Sequence, residues 1–352
     1  YFFLTYGLIS IPAGKLVDRI GYKNGMVVGF FIAASGALIF FPASLLHQYA
    51  IFLAALFIIA MGIVLLQVAA NPYVTILGPA RTASSRLVLI QGVGSVGTTV
   101  APLLGARFIL QKLSESSSSG EAVRYPYLGI AVLLVTIGLV VARLKLPQIK
   151  AATRDVQEKP VKDHKTVFSF RNLNFGIVAI FLYVGSEVSI GTFLTNYISD
   201  TLHIAVRDAN SFVAFYWGGM LVGRFAGSVL LQKVRPPLVL SICAGLAMAL
   251  IIFSLNSAGY AAVWSMIAVG LCNSIIFATI FSLSVRGVGE FTTRASGLLS
   301  TAIFGGAIIS FTVGFIKDHY TWKIAFLIPV ICYLYIFFYG RNGYKSKLAG
   351  AL

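Results

Sequence analysis

Apolar runs of roughly 20 residues recur along the whole chain, and no other feature constrains its fold as strongly. A segment of that length and character spans a bilayer as a helix, because hydrocarbon offers the backbone no hydrogen-bond partner but itself. Eleven such runs can be read, at approximately 1–13, 24–46, 50–72, 87–111, 125–145, 173–198, 209–231, 237–255, 260–285, 295–316 and 322–340. Composition agrees: 58% of the 352 residues are hydrophobic and 11% charged, with mean hydropathy +0.89. A soluble surface needs about 25% charged residues, so a soluble enzyme is excluded. Period-2 alternation is absent, which argues against a membrane barrel. The fold class expected is an all-α polytopic membrane protein. Cys243, Cys272 and Cys332 lie inside apolar runs and read as packed thiols.

The net charge of +16 fits basic cytoplasmic loops better than a nucleic-acid partner. Of the 27 Lys and Arg, only Arg107, Lys112, Arg124, Arg207, Lys317 and Lys323 fall in the segments of one side. Arg224 lies within a span, and the remainder sit on the other side, which the positive-inside rule makes cytoplasmic. This places the 14–23 loop, the 146–172 segment and the C-terminus in the cytoplasm. The first run is too short to cross about 30 Å at 1.5 Å per residue, and the chain begins at Tyr1. A missing first helix is the expectation.

The hydrophilic stretch 146–172 divides the chain into 1–145 and 173–352. Two weak repeats relate these parts. Gly14-Lys15-Leu16-Val17 resembles Gly227-Ser228-Val229-Leu230, and Ser84-Ser85-Arg86 resembles Thr292-Thr293-Arg294. Both parts start their repeats on the same side, so the repeat is parallel.

The decapeptide Gly14-Lys15-Leu16-Val17-Asp18-Arg19-Ile20-Gly21-Tyr22-Lys23 resembles the loop between helices 2 and 3 of the major facilitator superfamily. Asp18 near a helix end can engage a neighbouring helix N-terminus or an Arg. Made in one conformation only, such a contact would latch the outward-open state, with Gly14, Asp18, Arg19 and Lys23 as its residues. Further segments are similar to the fucose–galactose–glucose:proton symporter family of that superfamily. They include Gln67-Val68-Ala69-Ala70-Asn71-Pro72-Tyr73, Leu77-Gly78-Pro79, Gly97-Thr98-Thr99-Val100-Ala101-Pro102, Tyr183-Val184-Gly185-Ser186-Glu187, Gly223-Arg224-Phe225, Thr279-Ile280-Phe281 and Gly305-Gly306-Ala307. Gln67 and Glu187 resemble the glucose/galactose branch. Val88 and Gly94 stand where the family usually has Asn, and Ala278 and Ser310 where it has Pro.

The resemblance implies two six-helix bundles: helices 2–6 over 1–145, a cytoplasmic linker over 146–172, and helices 7–12 over 173–352. It implies import of glucose or galactose with a proton by alternating access, with no cofactor and with sodium as the alternative coupling ion. The other readings are an efflux transporter of the same superfamily, or an inactive or sensor derivative. The expected partners are a small sugar and the bilayer, with no nucleic acid, and the chain is expected to be monomeric.

Glu187 is the one Asp or Glu of eleven near the middle of a span. A charge there costs roughly 2.5–3.5 kcal/mol on insertion scales, which marks it as functional by default. It suits proton coupling, contact with sugar hydroxyls, or a fixed pair with a neighbour such as Arg224. Arg224 itself reads equally as a snorkelling side chain. Gln67 and Asn71 share one helix face, and Gln91 lies on the next span. Amides donate and accept as sugar hydroxyls do, but they also bind helices to one another for about 0.6–2 kcal/mol, the reading that fits Asn71 better. Asn196 and Asn273 are the candidate sugar contacts of the second half. His47, His164, His203 and His319 lie in loops or at span ends, so neither a metal site nor a histidine relay is expected within the membrane. Gly92-Val93-Gly94-Ser95-Val96-Gly97 matches a dinucleotide fingerprint, but it lies inside an apolar span without the strand that fingerprint requires.

Overall fold

The computed structural model describes residues 2–46, 48–105, 119–147 and 166–345. Most of the 146–172 linker, the end of the 87–111 run, Tyr1, His47 and His164 lie outside the described residues. Among those described there is no strand. The helices are α1 Phe2–Ile20, α2 Tyr22–Leu46, α3 Tyr49–Ile76, α4 Ala83–Gly105, α5 Ser119–Arg143, α6 Arg171–Leu202, α7 Val206–Lys233, α8 Pro236–Asn256, α9 Gly259–Asn273, α10 Ile276–Ser284, α11 Thr292–Thr301, α12 Gly305–His319, α13 Trp322–Ala325 and α14 Leu327–Phe338. Nine stretches among the described residues are long and apolar enough to cross a membrane, with α9–α10, α11–α12 and α13–α14 each counting as one. Of the eleven runs read from sequence, α1 is absent from that set because its last turns carry Lys15, Asp18 and Arg19. The run at α4 extends beyond the described residues.

Contacts divide the chain into two units, and these do not follow the chain halves. The first holds Tyr1–Tyr73, Gly97–Lys162 and Gly289–Thr301; the second holds Val74–Val96, Asp163–Val288 and Ala302–Leu352. The start of α4 therefore clusters with second-half helices, and α11 clusters with first-half helices.

In the first unit, α2 and α3 cross with backbones nearly touching. A Cβ on Gly36 would meet the Ile59 nitrogen at 2.6 Å, and one on Gly62 would meet the Ala33 nitrogen at 2.5 Å. Small residues allow this approach, which supplies the dispersion contact that lipid cannot replace. On its other side α2 packs against α5: Phe40 stacks on Tyr127 at 3.6 Å, and Arg124 donates to the Ser44 hydroxyl.

In the second unit, α6 is central. It packs against α12, α10, α14 and α7. The Asn172 amide near its start donates to the carbonyls of Leu283, Ser284 and Arg286, tying α6 to the end of α10. Arg86 donates to the carbonyls of Val74, Thr75, Gly78 and Pro79, closing the end of α3, where a helix leaves its last carbonyls unpaired. Cys272 and Cys332 are buried and Cys243 is half-buried, all as free thiols.

Candidate functional site

The first unit contains a docking of α11 on α1. Gly14 and Gly297 meet so closely that a Cβ on Gly297 would lie 2.9 Å from the Ser10 carbonyl and 3.4 Å from the Gly14 Cα. Beside this contact Arg294 pairs with Asp18 at 3.3 Å, and the Thr293 hydroxyl donates to the Tyr22 hydroxyl. Ser296 donates to the Val68 carbonyl of α3. Gly21 adopts φ +81°, a left-handed turn that leads from α1 into α2 and sets the Tyr22 ring toward Thr293. Of the four candidate latch residues, Gly14 and Asp18 make these contacts. Arg19 is exposed and Lys23 half-exposed.

Gln67 and Asn71 also belong to the first unit. Both are half-buried on α3, which continues through Pro72 to Ile76.

A polar cluster occupies the second unit. Arg224 on α7 points inward: its guanidinium donates to the Ser95 hydroxyl and approaches the Gln91 carbonyl on α4. It also acts electrostatically on Glu187 of α6. Inward pairing is therefore what the structure shows, and not the snorkelling alternative, because α4 supplies polar partners at that depth. Gly92 permits the approach, since a Cβ there would already touch the Arg224 Cβ at 3.4 Å. Two atoms of the cluster are buried without a partner, Gln91 Oε1 and Arg224 Nε. Tyr183 stands beside the Glu187 carboxylate while donating to the Asn273 carbonyl at 2.9 Å. So the structure brings Gln91 and Glu187 together around Arg224.

Asn273 is placed differently from an open sugar contact. It is buried at the break between α9 and α10, its amide nitrogen donating to the Tyr216 hydroxyl at 2.9 Å and its Oδ1 accepting from Tyr333 at 2.6 Å. With Tyr183 on its carbonyl it ties α6, α7, α9 and α14 together. Asn273→Leu is expected to cost roughly 1–3 kcal/mol for each buried hydroxyl left unpaired. Thermal unfolding in detergent should show a clear fall in melting temperature. An unchanged melting temperature with weakened sugar binding would make Asn273 a ligand contact instead. Asn196 is exposed near the far end of α6, close to Asp200.

Sequence reasoning missed Ser95, Tyr216 and Tyr333 as partners in these networks. A lone Ser or Tyr in an apolar span carries no distinguishing signal. It also left Thr293 and Arg294 only as a repeat fragment, although they form the α11 side of the contact with Asp18.

Residues 1–311 match the Major Facilitator Superfamily. The chain belongs to that superfamily. It is a multi-pass integral membrane protein of the transporter class and not an enzyme. As a major facilitator protein it is 45% identical over 351 residues to a glucose/galactose transporter of Brucella abortus, which covers 98% of this chain and 84% of the relative. It is 32% identical to the L-fucose-proton symporter of Escherichia coli, covering 99% of this chain and 84% of that one. Among solved structures, a single-residue variant of the E. coli fucose:proton symporter aligns with TM-score 0.87 at 29% identity, over 97% of this chain and 88% of the other. The same symporter in the outward conformation gives TM-score 0.88 at 30% identity, with the same coverage of both chains.

Proposed function

We propose that this major facilitator protein imports glucose or galactose by proton symport through alternating access. The observation that carries the reading is the second-unit cluster. Gln91 Oε1 and Arg224 Nε are buried and unpaired within reach of one another's helices, beside the half-buried carboxylate of Glu187. Native structures rarely leave buried polar atoms unsatisfied, and a sugar hydroxyl or a water satisfies a facing acceptor and donor of this kind. A sugar hydroxyl donates to Gln91 Oε1 and accepts from Arg224 Nε with the same oxygen atom type. Glu187 supplies the coupling group. Ionised, it is balanced by Arg224; protonated, it is neutral and leaves the guanidinium to the sugar and Ser95. Within the first unit, Gln67 is the candidate sugar amide, with Asn71 on the same face of α3. The names of the relatives, a glucose/galactose transporter and a fucose-proton symporter, support this substrate class.

The Lys and Arg distribution puts α1's end and the start of α11 on the cytoplasmic side. The Gly14–Gly297 contact and the Asp18–Arg294 pair then form the latch that holds the cytoplasmic side shut while sugar enters from outside.

Purified full-length protein in proteoliposomes should accumulate labelled glucose or galactose when an inward proton gradient is imposed. Failure of both hexoses to move, with export of a hydrophobic cation, would establish the efflux reading in its place.

A further inference from the structure

Outside the Arg224 cluster, the second unit holds a cavity of about 190 Å³ where the α6–α7 and α12–α13 turns meet, lined by residues that include Phe193, Asn196, Asp200, Lys317, Asp318 and Trp322. We propose that this cavity is a second sugar subsite, one that takes a neutral monosaccharide at the outer end of the second unit. Its role as a recruiting site for uptake rests on the transport reading above.

The walls are built and held. Trp322 donates its indole N–H to Asp200 Oδ2 at 2.8 Å, and the Lys317 ammonium lies 3.8 Å from the same oxygen. That ammonium also sits over the Trp322 ring at 4.7 Å, while Phe326 stacks on the indole at 5.2 Å. Trp322 is thus a fixed wall that orients Asp200. The turn beneath it is fixed as well. His203 adopts φ +55° as the cap of α6, and Ser199 donates to the Ile204 carbonyl at 2.7 Å.

The chemistry of the lining selects a ligand class. Asp200, Asp318 and Lys317 together give an excess of negative charge, which opposes an anion. Asp200 is held by the Lys317 ammonium and the Trp322 indole N–H, so its charge is already compensated against a free cation. What remains available is hydrogen bonding: the second oxygen of Asp200, the Asp318 carboxylate, the Lys317 protons and the exposed Asn196 amide. Phe193 and Val206 add apolar surface for the C–H face of a pyranose. The volume is below the roughly 300–1,000 Å³ of pockets for drug-sized ligands, which suits one sugar ring and not an oligosaccharide.

The test uses the indole in the wall. The chain has three tryptophans. Trp217→Phe/Trp264→Phe leaves Trp322 as the only tryptophan of these 352 residues, and its emission is followed while D-glucose or D-galactose is added to the full-length protein in detergent, with Trp322→Phe added to the same background as the blank. The difference between wild-type and Trp322→Phe titrations reads the same signal without touching the other two indoles. A saturable response is expected. Its midpoint should rise roughly five- to tenfold in Asn196→Leu, the effect of losing one hydrogen bond, and should stay in place in Gln91→Leu. No saturable response, or one lost in Gln91→Leu and untouched in Asn196→Leu, would overturn the subsite. If liposomes fail to accumulate hexose while the Trp322 response behaves as expected, the transport reading falls and the subsite stands.

Discussion

Glu187→Gln is expected to abolish gradient-driven accumulation of hexose while leaving sugar counterflow in place. Glutamine occupies nearly the same volume and still hydrogen-bonds a hydroxyl, but it cannot bind and release a proton. Counterflow exchanges sugar for sugar and needs no net proton movement. Accumulation needs a group that changes charge during the cycle. In the second unit Glu187 has the position for it, between Tyr183 and the Arg224 guanidinium. If accumulation survives with altered affinity, Glu187 contacts sugar without carrying the proton. Wild-type accumulation, affinity and pH dependence together would make the Glu187–Arg224 interaction purely structural.

Gly297→Val is the second large effect. Its Cβ would lie 2.9 Å from the Ser10 carbonyl, a backbone atom that cannot move aside. Overpacking of this kind costs about 1–3 kcal/mol, and only conformations in which α11 docks on α1 incur it. The docked population should fall by about fivefold to a hundredfold, since each 1.4 kcal/mol is a factor of ten. Net uptake should fall with it, and a cysteine introduced at Ala13 should become reactive from the cytoplasmic side. Asp18→Asn should have a smaller effect in the same direction. The pair it removes is partly exposed, and such pairs are worth about 0–1 kcal/mol. Unchanged accessibility in Gly297→Val would mean that the α1–α11 contact does not gate the transporter.

Much of the architecture was legible from apolar run length alone, because a bilayer leaves few ways to satisfy a backbone. Partner choice was not legible. Periodicity reports that a helix face is apolar but not which helix it meets. The two repeat fragments illustrate this. They suggested two related halves, yet in space they act as crosswise partners. Ser85 of one fragment donates to the Ser228 carbonyl of the other half's glycine segment. Thr293 and Arg294 meet Tyr22 and Asp18 beside Gly14. The contact units cut across the chain halves for the same reason. Polar residues were legible as important but ambiguous in role. Asn273 and Gln91 are both amides in apolar spans. One is saturated by tyrosines at a helix break, and the other keeps a buried oxygen unpaired. Only the positions of Tyr216 and Tyr333, remote in sequence, separate the two cases.

The central claim is that sugar and proton move together through the Glu187–Arg224 cluster. The most direct measurement is external pH when hexose is added to de-energised vesicles carrying the full-length protein, in sodium-free medium. The account predicts a transient alkalinisation with glucose or galactose that is absent in Glu187→Gln. Hexose entry without alkalinisation, restored only by sodium, would contradict it.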